Sequence, residues 1–434
     1  MATKHSDSLN SPSLAYVNSE LHVDGVSLKK LAKKFPTPFY VYSQTTLLSN
    51  FHEFQGEAEL AGLHKPLICF ALKSNPNREL LKVLAKEGSG ADIVSGGELL
   101  RAREAGIPAS KIVFSGVGKT AEEIRLALRE EIYSFNVESI EELELINELA
   151  KKEKSIARVC FRLNPMVKAK THKYISTGNK THKFGLLSSD ILKAAKNKKL
   201  WSHTKLVGLS VHIGSQLLDL KATADAIKVM GSLSRKLPQK TLEFLDVGGG
   251  LGVAYHPDEA KKLPTTAAYM KVVARALEES YYSHFKLRPK TRVVFEPGRR
   301  IVAKAGFFVM SVLRQKISED QRFLIVDGGM NDFMRPSLYD AYHGLVTVDE
   351  PKKTAKKLPT HVVGPICETS DCFGHHRPMP PLKTDDKIVL ADTGAYGFSM
   401  GSNYNLRGKP LELLVTGKKS IKVINKAQKY KELK

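Results

Sequence analysis

The chain is poor in cysteine, has no long apolar run and carries fewer acidic than basic residues. Its 434 residues include four cysteines, too few for a disulfide scaffold at this size. No stretch approaches the roughly 20 consecutive apolar residues that a membrane-spanning helix needs. The first fourteen residues are polar and lack the apolar segment of a signal peptide, which argues against export. We therefore expect a protein of a reducing, cytoplasmic compartment without a membrane partner.

The charge is strongly positive, since 67 Lys and Arg residues face 45 Asp and Glu residues for a formal net charge of +22. Lysines are scattered, with denser clusters at 168–183, 352–357 and 418–434. No cluster alternates with aromatic residues in the way that single-strand binders require. We expect no nucleic-acid partner and interpret the charge as a basic surface, suited to anionic small molecules.

Eight short apolar runs alternate with segments of helical periodicity. They are LICFAL (67–72), ADIVS (91–95), KIVFS (111–115), IYSFNV (132–137), IARVCFRLN (156–164), LVGLSVHIG (206–214), LEFLDVGGG (242–250) and RVVFE (292–296). Nearly continuous apolar runs are typical of parallel strands that are buried on both faces. Eight regular units without a G-x-G-x-x-G loop at the first turn favour a (β/α)₈ barrel over an open doubly wound sheet.

The pattern changes after Arg300, where strand-like runs follow one another without long helices. This change predicts an all-β domain over 301–418 behind a (β/α)₈ barrel over 43–300. The N-terminal segment 1–42 ends in the strand-like TPFYVYS and is predicted to join the β-domain. Residues 419–434 form a basic tail. The predicted class is thus α/β, with a TIM-like barrel and a second, all-β domain.

In such a barrel, catalytic groups lie at the carboxyl ends of the strands. Lys73 ends the first run, His212 ends the sixth, three glycines end the seventh and Glu296 ends the eighth. A partly desolvated lysine loses its charge readily, and its neutral amine attacks aldehydes, although a strand-end lysine is also an ordinary surface cation.

Two further features point to an anionic ligand with a positively charged ring. The glycine amides of DVGGGLG can bind phosphate, although three glycines also make an ordinary turn. Glu296 ends an apolar strand, and a buried carboxylate needs a cation. A protonated pyridine nitrogen would be such a cation; the alternative is an internal salt bridge to an arginine.

Together these residues resemble a known family. The motifs ALKSN, HIGSQ, DVGGGLG, EPGR, GPICE and AYGFSMGSNYN, in this order, resemble the fold-type III pyridoxal-phosphate decarboxylases. The stretches YISTG…KFG (174–185) and MRPSLYDAYH (334–343) resemble the diaminopimelate decarboxylase family in particular. The resemblance extends from about residue 36 to residue 416. It implies an alanine-racemase-like architecture in which the second domain is a β-barrel.

The resemblance implies a role for each matching residue. Lys73 would be the Schiff-base lysine, and Cys367 or Lys73 the proton donor. The cofactor pyridoxal 5'-phosphate (PLP) would be bound by His212 on its ring, by Glu296 at its pyridinium nitrogen, and by Ser215, Gly248, Gly249, Gly250, Gly298, Arg299 and Tyr396. The substrate would be bound by Arg299, Arg335, Tyr339 and Tyr396, with Glu368 at its distal ammonium. Cys367 and Glu368 would come from the other subunit of a homodimer with composite active sites.

The implied reaction is PLP-dependent decarboxylation of meso-2,6-diaminopimelate to L-lysine and CO₂, the last step of lysine biosynthesis. The alternatives are an ornithine, arginine or carboxynorspermidine decarboxylase on the same fold, or a non-catalytic PLP-binding homologue. Cys367, Cys372, His375 and His376 could also be metal ligands. Their spacing fits no standard zinc pattern, so we expect no metal.

Overall fold

The structure is a computed structural model that describes residues 11–167, 183–238, 242–286, 290–319, 321–417 and 419–433. Contacts divide the chain into two compact units. The barrel unit contains residues 51–252 and 263–300, and the sheet unit contains residues 1–50, 253–262 and 301–434. No helix in the described part combines the length and apolarity needed to cross a membrane.

Four short strands precede the barrel, namely β1 (Leu14–Val17), β2 (Glu20–Val23), β3 (Val26–Ser27) and β4 (Phe39–Ser43). The first three form a small antiparallel sheet. Helix α1 (Leu28–Lys34) starts at Ser27, whose hydroxyl accepts a hydrogen bond from the Lys30 amide, as an N-cap should.

Eight parallel strands close into a barrel in chain order, which confirms the predicted (β/α)₈ architecture. They are β5 (Leu67–Ala71), β6 (Gly90–Ile93), β7 (Ile112–Phe114), β8 (Ser134–Val137), β9 (Ala157–Leu163), β10 (Thr204–Val211), β11 (Phe244–Asp246) and β12 (Arg292–Phe295). All eight overlap the apolar runs of the sequence. Within the unit, one core cluster of buried residues joins Leu67, Cys69, Val113, Cys160, Val207, Phe244 and Val294.

Helices connect the strands. They are α2 (Gln44–Leu60), α3 (Arg78–Lys86), α4 (Gly96–Glu104), α5 (Ala121–Arg129), α6 (Ile140–Lys152), α7 (Ser188–Lys196), α8 (Lys221–Ser234), α9 (Thr266–Ser280) and α10 (Arg299–Val302). Of these, α3, α4, α5, α6 and α9 begin at residues whose side chains cap them. Thr120 and Glu123 form a reciprocal capping box at α5, and Ser139 caps α6. These caps fix where α5 and α6 begin.

The sheet unit is mostly β, as predicted; besides α1 it contains a further short helix, α11 (Arg335–Tyr339). Its later strands are β13 (Gly306–Ser318), β14 (Gln321–Val326), β15 (Leu345–Thr347), β16 (Leu358–Val363), β17 (Cys372–Met379), β18 (Lys387–Leu390), β19 (Leu411–Val415) and β20 (Ile421–Asn425). Strand β4 lies between β13 and β19, so the N-terminal segment takes part in this sheet.

The pairing in this unit differs from the β-barrel that we expected. Its nine strands form one mixed sheet in the order β17-β16-β14-β13-β4-β19-β20, with β15 and β18 branching from β13. The long strand β13 changes partners along its length, because residues 306–311 pair with β4 and β18 while residues 312–318 pair with β14. Among the described residues the hydrogen bonds therefore give a branched sheet rather than a closed ring.

Candidate active site

Lys73 lies immediately after β5, in a short turn over Leu72–Ser74. Its Nζ is 2.7 Å from Oδ2 of Asp92, a residue of the neighbouring strand β6. The Asp92 side chain is fully buried, whereas that of Lys73 is 35% exposed. The other carboxylate oxygen, Asp92 Oδ1, has no hydrogen-bond partner among the described residues. The amine is therefore held in position and remains accessible at the mouth of the barrel.

Glu296 and Asp246 are two buried carboxyl groups beside this lysine. Asn136 Nδ2 donates to Glu296 Oε1 at 3.1 Å and to Asp246 Oδ2 at 3.3 Å. Burial, with the charges of Asp246 and Asp92, raises the pKa of Glu296 well above its ordinary 4.5, although Lys73 acts in the opposite direction. Burial also raises the pKa of Asp246 to about 6.

No ion pair to Glu296 is present within the described part of the chain, so the alternative of an internal arginine salt bridge is not found there. Ser115 Oγ donates to Glu296 Oε1 at 3.3 Å, which leaves the carboxyl with neutral donors and acidic neighbours. A cation placed beside Glu296 would restore its charged form. This is the environment that a protonated ring nitrogen requires.

His212 follows β10 and is held by the glycine loop. The Gly249 amide donates to His212 Nδ1 at 3.2 Å. Burial, together with the cations Arg162 and Lys73, lowers the pKa of His212 well below its ordinary value. The imidazole is consequently neutral and presents a flat ring rather than a charge.

The three glycines are required by close backbone packing. A Cβ at Gly248, Gly249 or Gly250 would lie between 2.1 and 2.4 Å from a neighbouring carbonyl oxygen. Gly248 and Gly250 also have positive φ angles of 69° and 103°. The loop is thus a side-chain-free backbone turn, which is the form of a phosphate cradle.

Arg299, Ser215 and Gly298 lie in the same unit. Arg299 is buried and its Nη2 donates to Ser215 Oγ at 3.2 Å. Gly298 is packed so tightly that a Cβ there would come within 2.9 Å of Ser74 Oγ. The hydrogen bond between Arg299 and Ser215, both predicted site residues, therefore links the segments that follow β12 and β10.

Four polar residues at the mouth of the barrel were missed in the sequence. They are Asp92, Asn136, Arg162 and Asp246, and each lies near the carboxyl end of a mostly apolar strand. A polar residue near the carboxyl end of a buried barrel strand was the signal that could have identified them. Arg162 Nη1 donates to Glu138 Oε1 at 2.6 Å, and this carboxylate also accepts from the Gly185 amide at 3.1 Å.

Arg335 and Tyr339 belong to the sheet unit, on α11. Arg335 is buried; its Nη1 lies 2.7 Å from His343 Nε2 and its guanidinium carbon 4.4 Å from the centre of the Tyr255 ring. His343 Nδ1 is 2.9 Å from the carbonyl oxygen of Ala391. His343 therefore donates through Nδ1 and accepts from Arg335 at Nε2, which fixes the direction of the guanidinium. Tyr339 is half-buried at the end of the helix.

Cys367 and Glu368 are exposed neighbours in the sheet unit. The Cys367 amide donates to Asn405 Oδ1 at 3.3 Å, and Tyr404 donates its hydroxyl to Glu368 Oε1 at 2.5 Å. Tyr396 is half-buried with a φ angle of 55°, in the left-handed region. The motif AYGFSMGSNYN thus supplies Tyr404, whose hydroxyl donates to Glu368, the carboxylate that is predicted to bind the distal ammonium of the substrate.

The remaining predictions concern CFGHH and the YISTG stretch. CFGHH forms the start of β17, and the described residues contain no cluster of three or more His, Cys, Asp or Glu side chains suited to a metal ion. The stretch YISTG…KFG lies mostly outside the described residues, which resume at Lys183.

The barrel residues fit PLP on three independent features. Glu296 is a buried acid among neutral and acidic groups, Lys73 is an oriented amine, and Gly248–Gly250 form a turn without side chains in which only Gly250 is partly exposed. These match the ring nitrogen, the aldehyde and the phosphate of the cofactor in turn.

Comparison with known proteins supports the same cofactor. The family described as "Pyridoxal-dependent decarboxylase, pyridoxal binding domain" matches residues 48–303. The fold and this match define the class of the protein as a pyridoxal-dependent decarboxylase. A diaminopimelate decarboxylase of Aquifex aeolicus is 42% identical over 424 residues, which cover 96% of each chain.

Two solved structures extend the comparison. The diaminopimelate decarboxylase of Helicobacter pylori complexed with L-lysine is 40% identical, with a TM-score of 0.86 over 93% of this chain and 98% of that one. The enzyme of M. jannaschii in complex with L-lysine is 36% identical, with a TM-score of 0.90 over 98% and 97%. The chain belongs to the diaminopimelate decarboxylase family.

Proposed function

We propose that the protein decarboxylates meso-2,6-diaminopimelate to L-lysine and CO₂ with PLP, the last step of lysine biosynthesis. One geometric observation carries the reaction type: an oriented, accessible Lys73 amine lies in the same barrel mouth as a buried Glu296 carboxyl of raised pKa. Family membership carries the substrate, since relatives were solved with L-lysine, which is the expected product.

Each barrel residue has a task in this proposal. PLP, when bound, supplies the electron sink for the electron pair that remains when CO₂ leaves. Lys73 Nζ holds the aldehyde carbon, and Asp92 orients Nζ. Glu296 keeps the ring nitrogen protonated, and the neutral His212 ring packs on the cofactor face.

A second set of residues binds the phosphate of the cofactor and the reacting end of the substrate. The turn of Gly248–Gly250 makes room for the phosphate, which is bound by the amides of Gly250 and Gly298 and by Ser215, Arg299 and Tyr396. The amides of Gly248 and Gly249 are already used, since they donate to Asp246 Oδ1 and His212 Nδ1. Arg299 also binds the substrate carboxylate at the reacting end.

Substrate choice is made at the distal end. Arg335 and Tyr339 bind the distal carboxylate, for which a planar guanidinium is well suited, and Glu368 binds the distal ammonium. Ornithine and arginine lack this carboxylate and cannot form the bidentate interaction with Arg335, a mismatch that can reduce reactivity by orders of magnitude. This argues against the decarboxylases of other amines on the same fold.

Protonation of the product carbon completes the reaction. Cys367 Sγ or Lys73 Nζ delivers a proton to the carbon that lost CO₂, so that one proton is consumed per CO₂ released. Cys367 and Glu368 are exposed on their own chain, as residues delivered to the active site of a partner would be. We therefore propose a homodimer with composite sites, and a cytoplasmic location, supported by four cysteines without a disulfide among the described residues.

The test is product formation by the purified chain. Incubation with PLP and meso-diaminopimelate should give L-lysine and CO₂ in equal amounts. Formation should require added PLP after the cofactor has been removed and should be absent in Lys73→Ala. A protein that binds PLP covalently but releases no CO₂ would instead be the non-catalytic homologue.

A further inference from the structure

A cavity of about 460 Å³ lies within the sheet unit. Its volume is in the range of about 300–1,000 Å³ that is typical of small-molecule sites. Neither Arg335 nor Tyr339 is among the described residues that line it. Tyr255, on whose ring Arg335 packs, does line it, so the cavity adjoins the substrate-binding set of the proposed function without including it.

The wall combines apolar surface with an excess of positive charge. Tyr16, Tyr255, Tyr342, Met379 and four prolines supply broad apolar faces. Four cationic side chains also line it, namely Lys352, Lys353, Lys357 and Arg377, against the two acids Glu350 and Asp392. Asp392 is already paired, because its Oδ2 is 2.6 Å from Lys304 Nζ. The local balance thus favours an anion.

Arg377 is the best-positioned cation in this wall. Its guanidinium carbon stacks 4.0 Å from the centre of the Tyr342 ring, and its Nη2 donates to the His343 carbonyl oxygen at 2.9 Å. Within the described part of the chain no carboxylate forms an ion pair with it. Burial lowers the pKa of Arg377, since the cation is desolvated. An anion in the cavity would supply the missing counter-charge.

The exposed lysines make a second, more flexible contribution. Lys352 and Lys353 lie between β15 and β16 and are exposed. A guanidinium fixed on a tyrosine, with mobile ammonium groups at the rim, is suited to a carboxylate or sulfonate group. The tyrosine, methionine and proline faces are suited to the body of the same molecule.

We propose that this cavity is a second ligand site, which takes a small aromatic anion whose acidic group pairs with Arg377. The ring of the ligand would pack among Tyr342, Met379 and the prolines, and the lysines at the rim would strengthen binding at low ionic strength. The proposal does not depend on the proposed function, because its test measures binding alone.

The probe is 8-anilinonaphthalene-1-sulfonate, titrated by fluorescence into the PLP-loaded protein. We expect Arg377→Gln to weaken binding by about tenfold or more, the loss typical of a removed charged hydrogen-bonding partner. The matched control is Arg314→Gln, which removes the same charge from an exposed position on β13 that does not line the cavity. Its affinity should equal that of the wild type. Equal affinity in Arg377→Gln would overturn the proposal.

Three further measurements keep the proposal testable if Arg377→Gln does not fold, and they identify the chemistry of the ligand. The double variant Lys352→Gln/Lys353→Gln changes only exposed side chains and should weaken binding at low salt by a few fold; unchanged affinity would contradict the charge argument. The uncharged analogue N-phenyl-1-naphthylamine should bind much more weakly, and binding as tight as that of the sulfonate would refute an anion site. Saturating L-lysine should not displace the probe; displacement would place it in the substrate site instead.

Discussion

Lys73 and Asp92 form an ion pair of 2.7 Å between Nζ and Oδ2 at the mouth of the barrel. The pair is set by the sheet itself, because Asp92 is the register partner of Ala71 on the neighbouring parallel strand, two residues before the lysine. The carboxylate is completely buried while the amine retains a solvent-facing side. The nucleophile is therefore positioned by the most rigid element of the fold rather than by a loop.

Replacing Lys73 with Ala should abolish covalent cofactor binding. Borohydride reduction of the PLP-loaded wild type should attach the cofactor to the peptide that contains Lys73, as seen by mass spectrometry, and the visible absorbance band should disappear in the variant. Lys86→Ala, an exposed lysine at the end of α3, is the control and should behave as the wild type. Covalent labelling of another lysine in Lys73→Ala would contradict the assignment.

Glu296→Gln should make the cofactor-free protein relatively more stable as pH rises. The pKa of Glu296 is raised by burial, so its contribution to stability is complete below the ordinary value of 4.5 and is lost as pH rises through the native pKa. The amide cannot ionise, but its oxygen can still accept from Asn136 and its nitrogen can donate to Asp246. The Tm of the variant minus that of the wild type should therefore increase with pH.

The same variant should bind PLP less tightly, because the amide carries no charge for the ring nitrogen. A Tm difference that stays constant from about pH 4 to about pH 8 would show that Glu296 does not titrate within the barrel. Unchanged PLP affinity would remove Glu296 from the cofactor site.

Arg335→Ala should lower kcat/KM for diaminopimelate by roughly 10²–10⁴-fold, because the distal carboxylate loses a desolvated, bidentate partner. Arg335→Lys should recover only part of the loss, since lysine lacks the planar guanidinium that His343 and Tyr255 hold in place. The cofactor absorbance should not change. Arg314→Ala, on the exposed part of β13, is the control. Wild-type kinetics in Arg335→Ala would contradict its role in specificity.

Mixing Lys73→Ala with Cys367→Ala should restore activity if each site uses both chains. If Cys367 is the proton donor, neither variant is active alone, but a heterodimer contains one site with both Lys73 and Cys367 intact. Random reassociation after mild dissociation would then return about a quarter of wild-type activity. If both residues served the same chain, the mixture would remain inactive.

Lys119→Met should destabilise the barrel by about 3–5 kcal/mol, as loss of one partner of a buried ion pair does. The Lys119 side chain has no exposed surface, and its Nζ lies 2.7 Å from Glu142 Oε1 and 2.8 Å from the Gly116 carbonyl oxygen. The double variant Lys119→Met/Glu142→Leu should recover part of the loss, because no unpaired acid remains. Chemical denaturation measures both, and a loss below about 1 kcal/mol in the single variant would contradict the role of the pair.

The barrel could be predicted from the sequence because its eight strands are buried on both faces and therefore stand out as apolar runs. Strands β15 and β17 were missed for the opposite reason. Strand β15 has only three residues, and β17 contains Gly374 and the exposed residues His375, His376 and Pro378. Short or polar strands take their conformation from their partners rather than from their own pattern.

The site was predictable where a residue ends a strand and not where contacts join distant segments. Lys73, His212 and Glu296 mark strand ends directly. The packing of Arg335 on Tyr255, 80 positions earlier, has no local sequence signature, and neither does the sharing of Asn136 by two carboxyl groups. Asp92 and Asp246 were hidden because a single polar residue does not disturb the apolar pattern of a strand.

The most direct test of the account is a comparison of kcat/KM for CO₂ release from meso-diaminopimelate, ornithine, arginine and carboxynorspermidine by the PLP-loaded protein. We expect release from diaminopimelate and, with the other three amines, kcat/KM values lower by orders of magnitude. Faster release from any of those three would contradict the specificity assigned to Arg335, although it would leave the barrel, Lys73 and the cofactor in place.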